Sequence, residues 1–418
     1  MLAFLIESLQ SRSSLQRLLW ILVLLFVFCI SFSIAVSQIL LTAAAIVYVY
    51  WKLKYDRHFP RVPILIPAFA YCYSTMLSVA FSIHPSLSII EAKDLAAFII
   101  VPLVYDTVKD LDDIKVIYGV LILAGVISSC YGLYQVFGMD GDLISTRLTG
   151  FMGHWMTFSG LLMILNVLLL SHLLFSKEHP KWFYPAFAIL SVTLFLTLTR
   201  SAWVGFLAAA TVLLSMRKVG WIVAIPALVL VIFVGSVLFF PSVVAKRVNS
   251  VFNPNETSNR DRLLMLQSGW QIIKDYPLTG TGPGMVKIVY PRYRATDSQL
   301  HNAQHLHNNL IQLAAEKGIL TLLSWLWLIG MVLYDLIHWK RKVMNPEEQF
   351  MIHGTIGIVI SLFVAGMFEF NFGDSEINML FLALVTLPYA WHKSLERGAI
   401  PEREVIDPEA SELVVLKQ

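Results

Sequence analysis

Three histidines fall within seven residues, at His301, His305 and His307, and two amides, Asn308 and Asn309, follow them directly. A neutral imidazole near a membrane surface can accept a proton from a sugar hydroxyl, a task suited to its pKa. His301 and His305 also stand at i and i+4, the spacing of a zinc pair on a helix. No acidic or cysteine ligand is interleaved, so a facing ligand would have to come from elsewhere in the chain. Solvated loop histidines are the plain alternative.

The second chemical signal is arginine. Arg147, Arg200, Arg247, Arg260, Arg262, Arg292 and Arg294 fall in segments that the helix pattern places on the same side as the histidines. A guanidinium donates bidentate hydrogen bonds to a phosphate and stays charged when partly desolvated. Arg200 is the sharpest of the group, because it separates the apolar run ending Thr197, Leu198, Thr199 from the run beginning Ser201, Ala202, Trp203. Leaving such a charge unpaired at depth would cost a few kcal/mol; a snorkelling side chain at the interface is the alternative. Arg147, in the turn-like Arg147, Leu148, Thr149, Gly150, reads equally as a solvated loop residue. Arg260 and Arg262 are two apart, so on a helix only one of them can face a shared ligand. Glu91 and Asp94 share a face beside Lys93 and could pair with one another or with an arginine. Glu369 carries the same structural reading.

These residues need a membrane to position them. Of 418 residues, 57% are hydrophobic and 14% charged, against roughly 25% charged in soluble domains. Apolar runs suited to spanning a bilayer recur along the chain. The pattern predicts an all-α integral membrane protein of about twelve helices, near 18–33, 35–51, 62–82, 88–107, 113–138, 155–175, 182–199, 201–216, 219–239, 319–338, 350–371 and 377–391. The formal charge of +3, with no basic stripe in a soluble segment, sets nucleic acid aside. Cys29, Cys72 and Cys130 all lie in apolar runs and read as packed thiols without a disulfide framework.

Lysines and arginines orient the helices, because positive loops are retained in the cytoplasm. Lys52, Lys54, Arg57 and Arg61, then Lys109 and Lys115, Lys177 and Lys181, Arg217 and Lys218, and Lys340, Arg341 and Lys342 fall in alternate loops. The organisation that follows is helices one to nine over 1–239, an outer segment with the histidine motif over 240–318, helices ten to twelve over 319–391 and a polar cytoplasmic tail over 392–418, bearing Lys393, Arg397 and Arg403. Within the outer segment Leu263, Leu266, Trp270 and Ile273 recur at helical spacing behind a cap at Ser258 or Asn259. The stretch from Pro277 to Gly284 ends that helix; lacking the Lys-Ser/Thr pair of a phosphate loop, it reads as a turn.

The run His307, Asn308, nine residues, Gly318, two residues, Thr321 resembles the signature of the bacterial O-antigen ligases. Two further features resemble that family: Arg200 after the Thr-rich helix end, and Arg262 opening the loop helix. The region shared with O-antigen polymerases spans about 190 to 335. The resemblance implies a C-type glycosyltransferase fold in the bacterial inner membrane, with its site facing the periplasm. It implies inverting transfer of polysaccharide from undecaprenyl diphosphate to lipid A-core, without cofactor, nucleotide or metal. His307 would be the base, with Asn308 fixing its register. Arg200 and Arg262 would hold the diphosphate, helped by Arg147, Arg260 or His305, with Glu91 and Lys93 in support. An O-antigen polymerase, with a second lipid-linked glycan as acceptor, would show almost the same residues. A lipid-linked oligosaccharide flippase would instead call for ionisable groups near the midplane and repeated halves.

Overall fold

The computed structural model describes residues 2–137, 147–217, 257–295, 298, 301–341 and 345–399. Its elements are all helical, with no strand among the described residues. In chain order they are α1 Leu2–Gln10, α2 Ser14–Cys29, α3 Ile34–Tyr55, α4 Leu65–Ala80, α5 Pro85–Glu91, α6 Ile100–Thr107, α7 Leu111–Phe137, α8 Trp155–Phe175, α9 Phe183–Leu196 and α10 Arg200–Met216. After them come α11 Thr257–Asp275, α12 Val286–Tyr293, α13 Asn309–Lys340, α14 Pro346–Ala365 and α15 Ser375–Ala399. Among the described residues five of these, α3, α7, α8, α13 and α14, are long and apolar enough to cross a bilayer, and α2, α4, α9 and α10 are shorter apolar helices. The chain is a multi-pass membrane protein. The expected ninth helix (219–239), the outer segment up to residue 256 and the tail beyond residue 399 lie outside the described residues.

Helices appear where apolar runs predict them, with instructive exceptions. The expected fourth helix, 88–107, is broken into α5, a 3-10 turn at Ala92–Ile99 and α6. Polar side chains on this stretch are held by different elements: Ser88 Oγ donates to the Pro283 carbonyl at 3.0 Å, and Asp94 accepts from Ser375 Oγ at 3.0 Å. The tighter 3-10 winding keeps residues i and i+3 in line. The expected tenth helix begins at 319 as the sequence predicts, directly after a sharp non-helical turn at Gly318, where φ is +82°; what the sequence does not anticipate is the short helix over 309–317 that leads into that turn as the first part of α13.

The helix ends sort into two groups. At one end, Asp106 gathers Lys52 of α3 at 2.7 Å and Lys393 of α15 at 3.7 Å. Glu347 there accepts from Ser176 Oγ beyond α8 at 3.0 Å and lies 3.8 Å from Lys115 of α7. Lysines that the sequence assigns to separate positive loops therefore share one end of the bundle. At the other end lie the starts of α8, α10, α13 and α15 and the end of α14. Side chains built at Gly205 and Gly357 would meet Ala365 and Leu213 respectively, so α10 and α14 run antiparallel. Arg200, five residues before Gly205, consequently stands level with the residues after Ala365.

The helix α8 runs through the middle. Its residues from Thr157 to His172 are all buried, as expected of a helix apolar on every face. Its one amide, Asn166, is satisfied by Ser191 Oγ at 2.7 Å. A rigid central helix fixes where the loops at the second end can sit.

Candidate active site

Residues 301–308 are irregular, so the i and i+4 spacing of His301 and His305 does not place them on one helix face, and His301 is exposed. The register is set one step later. Asn308 caps α13, accepting from Ile311 N at 3.0 Å while its amide donates to the Met367 carbonyl at 2.9 Å. Asn309 N donates to the Gly366 carbonyl at 2.7 Å, and the Asn309 amide donates to Asn371 Oδ1 at 2.7 Å. These bonds join the start of α13 to the loop after α14. They force His307 into left-handed backbone conformation, φ +50°, which is uncommon for a residue with a side chain.

That loop delivers the partner the sequence did not reveal. Glu369, 7% exposed, places both carboxylate oxygens 2.9 Å from His307 Nδ1. Arg262 Nη2 approaches the same carboxylate at 3.6 Å and His305 Nδ1 at 3.7 Å. The two imidazoles meet edge to face, with centroids 4.2 Å apart. Burial pushes the Glu369 carboxyl up. The hydrogen bond with His307 and the influence of His307, His305 and Arg262 outweigh it, and the group lies below its ordinary range. Burial, reinforced by His307, lowers His305 to about 4, so it is neutral at pH 7. With Nδ1 of His307 donating to a carboxylate, the neutral ring presents Nε2 as an acceptor.

Of the paired loop arginines, Arg262 is half-buried against Glu369, whereas Arg260 is exposed. Arg200 opens α10 behind a tightly wound turn. Thr197 Oγ1 donates to the Leu194 carbonyl at 2.7 Å, Trp203 Nε1 donates to the same carbonyl at 3.2 Å, and Leu198 is held at φ +53°. Among the described residues, Leu198 and His307 are the two non-glycine positions with positive φ. Strained backbone concentrates at functional sites when the surroundings over-determine it, and here it marks both sequence motifs. Arg147 lies over the Trp155 ring at 5.1 Å, beside His154. Arg292 is exposed, Arg294 donates to the Ser298 carbonyl at 3.1 Å, and Arg247 is outside the described residues.

Glu91 pairs with a lysine rather than an arginine, Lys287 Nζ at 2.8 Å. Lys93 is exposed and lines a different cavity, treated below. Glu91, Asp94, His154, His305, Glu369 and Asp374 border a cavity of about 230 Å³. Burial, with help from Glu376 and Glu369, raises Asp374 to about 7 against the opposing hydrogen bond from Thr157 Oγ1. Burial also lowers His154, as do Arg147 and His307, with Glu369 opposing. His154 and Asp374 carried no motif in the sequence. Only the neighbourhood of helix starts, His154 before α8 and Asp374 before α15, could have drawn attention to them.

The turn at 277–284 proves to be the brace for α13. Ile319 N donates to the Pro277 carbonyl at 3.0 Å, Thr281 N to Ala315 at 3.0 Å and Gly282 N to Glu316 at 2.8 Å. A Cβ on Gly318 would lie 2.1 Å from the Leu278 carbonyl oxygen. Glycine is required there by both contact and φ. The Gly318 of the motif thus holds the strap that aims the first turn of α13, and with it His307.

His305, His307 and Glu369 offer ligand atoms within 4.8 Å of one another, and so form a possible metal group among the described residues. Glu369 supplies the facing ligand the sequence lacked. A divalent ion there would have to share the carboxylate with the Arg262 guanidinium 3.6 Å away, which works against a second cation. The same carboxylate, shared by two imidazoles and a guanidinium, can also hold a histidine ring in one orientation.

Residues 185–326 match the O-antigen ligase family. Over 384 residues the chain is 21% identical to the teichuronic acid biosynthesis protein TuaE of Bacillus subtilis (strain 168), covering 85% of this chain and 78% of that protein. The resemblance carried by Arg200, Arg262 and the His307 motif is borne out, since all three lie in the matched region. Both matches support a glycosyl-transfer enzyme.

Proposed function

We propose that the protein is an O-antigen ligase, transferring polysaccharide from undecaprenyl diphosphate to the outer-core sugar of lipid A-core on the periplasmic face of the inner membrane, with inversion and without a metal. The observation that carries this reading is the His307–Glu369 pair with Arg262 on the same carboxylate. The acceptor hydroxyl oxygen attacks the anomeric carbon as its proton passes to His307 Nε2. The bond from that carbon to the diphosphate oxygen breaks, and its electron pair leaves with the diphosphate. Arg200 and Arg262 stabilise the charge that accumulates there, with Arg147 and Arg260 contributing at the rim. Diphosphate is a good leaving group, so no general acid is required. Neutral His305 packs against His307 and helps keep its ring in place.

The second reading is a polymerase, since the relative named for teichuronic acid biosynthesis carries no mention of a lipid A-core acceptor. A polymerase must hold two lipid diphosphates at once, whereas Arg262 meets the one carboxylate that His307 and His305 share. A deletion strain separates the two. A ligase deletion should retain long glycan chains on undecaprenyl diphosphate and leave lipid A-core bare; accumulation of single repeat units would identify a polymerase.

A further inference from the structure

A second cavity, of about 210 Å³, lies beside the first and shares Asp94 with it. Its walls are Gln38 and Thr42 of α3, Lys93 and Asp94 of the 3-10 turn, and Ser375 and Asn378 of α15. Gln38 and Thr42 are exposed on a stretch of α3 whose exposed neighbours include the apolar Ile39, at 68%, and Ile46, at 66%. Thr42 falls between Ile39 and Ile46 at spacings of three and four, so all share one face. The cavity therefore opens toward lipid. Four and eight residues from Ile34, Gln38 and Thr42 lie about 6 and 12 Å along the helix axis from the α3 start. Thr42 is satisfied within its own helix, so at that depth the Gln38 amide is the group that gains from a polar partner in the cleft.

The lining specifies the ligand. Lys93 is an exposed cation at the end of the bundle that carries Arg147, Arg200 and Arg262. Asn378 is 5% exposed, and its amide oxygen has no hydrogen-bond partner among the described residues, an arrangement that costs free energy until a donor arrives. Asp94, held by Ser375 Oγ, is a second acceptor. Thr42 Oγ1 is turned back on the Gln38 carbonyl at 2.7 Å, leaving the Gln38 amide as the adaptable group. One cation beside two acceptors matches an anion carried on a group rich in hydroxyls. The volume is below the roughly 300 Å³ of small-molecule pockets, which suits a head group rather than a whole lipid.

We propose that this cleft receives the phosphorylated sugar head of the acceptor lipid, entering sideways from the bilayer. Lys93 contacts the phosphate, Asn378 and Asp94 accept from sugar hydroxyls, and the glycan passes Asp94 into the cavity at His305 and Glu369. The single lysine suits a monophosphate, while the arginines serve the donor diphosphate. This assignment rests on the transfer reading for the word acceptor, but its binding step can be measured without turnover.

The test uses the full-length protein in nanodiscs, with equilibrium binding of lipid A-core, its dephosphorylated form and its de-acylated form. Lys93→Glu should weaken binding of the phosphorylated lipid about tenfold or more, the loss expected for one charge-assisted contact, and abolish discrimination against the dephosphorylated form. Lys93→Arg should restore both. Gln38→Leu with Thr42→Val, on an exposed helix face and safe for folding, should weaken both lipids. In transfer assays the KM for acceptor should rise in Lys93→Glu, with the KM for donor unchanged. Equal binding by Lys93→Glu and wild type would overturn the assignment, and so would a de-acylated core that binds as tightly as the lipid. Wild type that binds the phosphorylated lipid with this dependence but transfers nothing would leave the cleft standing and defeat the transfer reading.

Discussion

Replacing Glu369 by glutamine keeps the side-chain volume and removes its charge. In the wild type both carboxylate oxygens lie 2.9 Å from His307 Nδ1, and the same group pairs with Arg262 at 3.6 Å. A carboxylate can only accept, so it holds Nδ1 as the donor and leaves Nε2 able to take a proton. Glutamine presents either an oxygen or an NH₂; in the second orientation Nδ1 must accept, and Nε2 carries the proton it should receive. Where a carboxylate orients a catalytic histidine, exchange for the amide costs about 10⁴ in kcat through this tautomer error. A positioned base is worth about 10² to 10⁴. Glu369→Gln should therefore lower kcat by about a hundredfold to ten-thousandfold. Losing one charged hydrogen-bonding partner costs about 1.5–3 kcal/mol of stability at most, given partial exposure of Arg262. The variant should stay folded. Because Arg262 is released rather than removed, the KM for the lipid diphosphate should not rise. The assay is steady-state transfer from a fluorescent lipid-linked glycan, with thermal unfolding of the same sample. A kcat within tenfold of wild type, or a loss expressed wholly as a higher donor KM, would refute the orienting role.

His307→Ala should abolish transfer, with a loss of about 10² to 10⁴ in kcat, while elution and unfolding temperature stay close to wild type; a histidine with only a structural role would lower yield instead. Chelation should leave the purified enzyme active, and inhibition by EDTA reversed by zinc, magnesium or calcium would require His305, His307 and Glu369 to be ligands. Asp374 has a raised pKa of about 7 in the fold, so the stability gained from its neutral form is complete below the unfolded carboxylate value and is lost as pH rises through 7. Wild-type unfolding temperature should fall between about pH 4 and pH 7 and level off above that, whereas the fall in Asp374→Asn should be shallower; parallel profiles would rule out titration of this group.

Much of the site was legible because its signals are local. Arg200 betrays itself by interrupting an apolar run, and Asn308 and Gly318 have a cap and a positive φ that only certain residue types satisfy. Helical geometry shows only that Arg260 and Arg262 cannot both face one ligand; the preference for Arg262 comes from the family resemblance, and in the fold Arg262 is the one that meets Glu369. Glu369 was read as structural because its partner lies 62 residues away in sequence, a distance no periodicity records. His154 and Asp374 escaped for the same reason. In the fold, apolar runs locate helices but not their interruptions: the break at Ala92–Ile99 goes with polar contacts to Pro283 and Ser375, and the short helix ahead of Gly318 is fixed by the Asn308 cap and the loop after α14. Those contacts are tertiary.

The most direct measurement is the fate of both substrates with purified protein, undecaprenyl diphosphate-linked glycan and lipid A-core. Wild type should place glycan on lipid A-core and release one free undecaprenyl diphosphate for each chain transferred, while His307→Ala should do neither. Release without transfer, equal turnover by His307→Ala, or glycan appearing only on a second lipid-linked glycan would contradict the account.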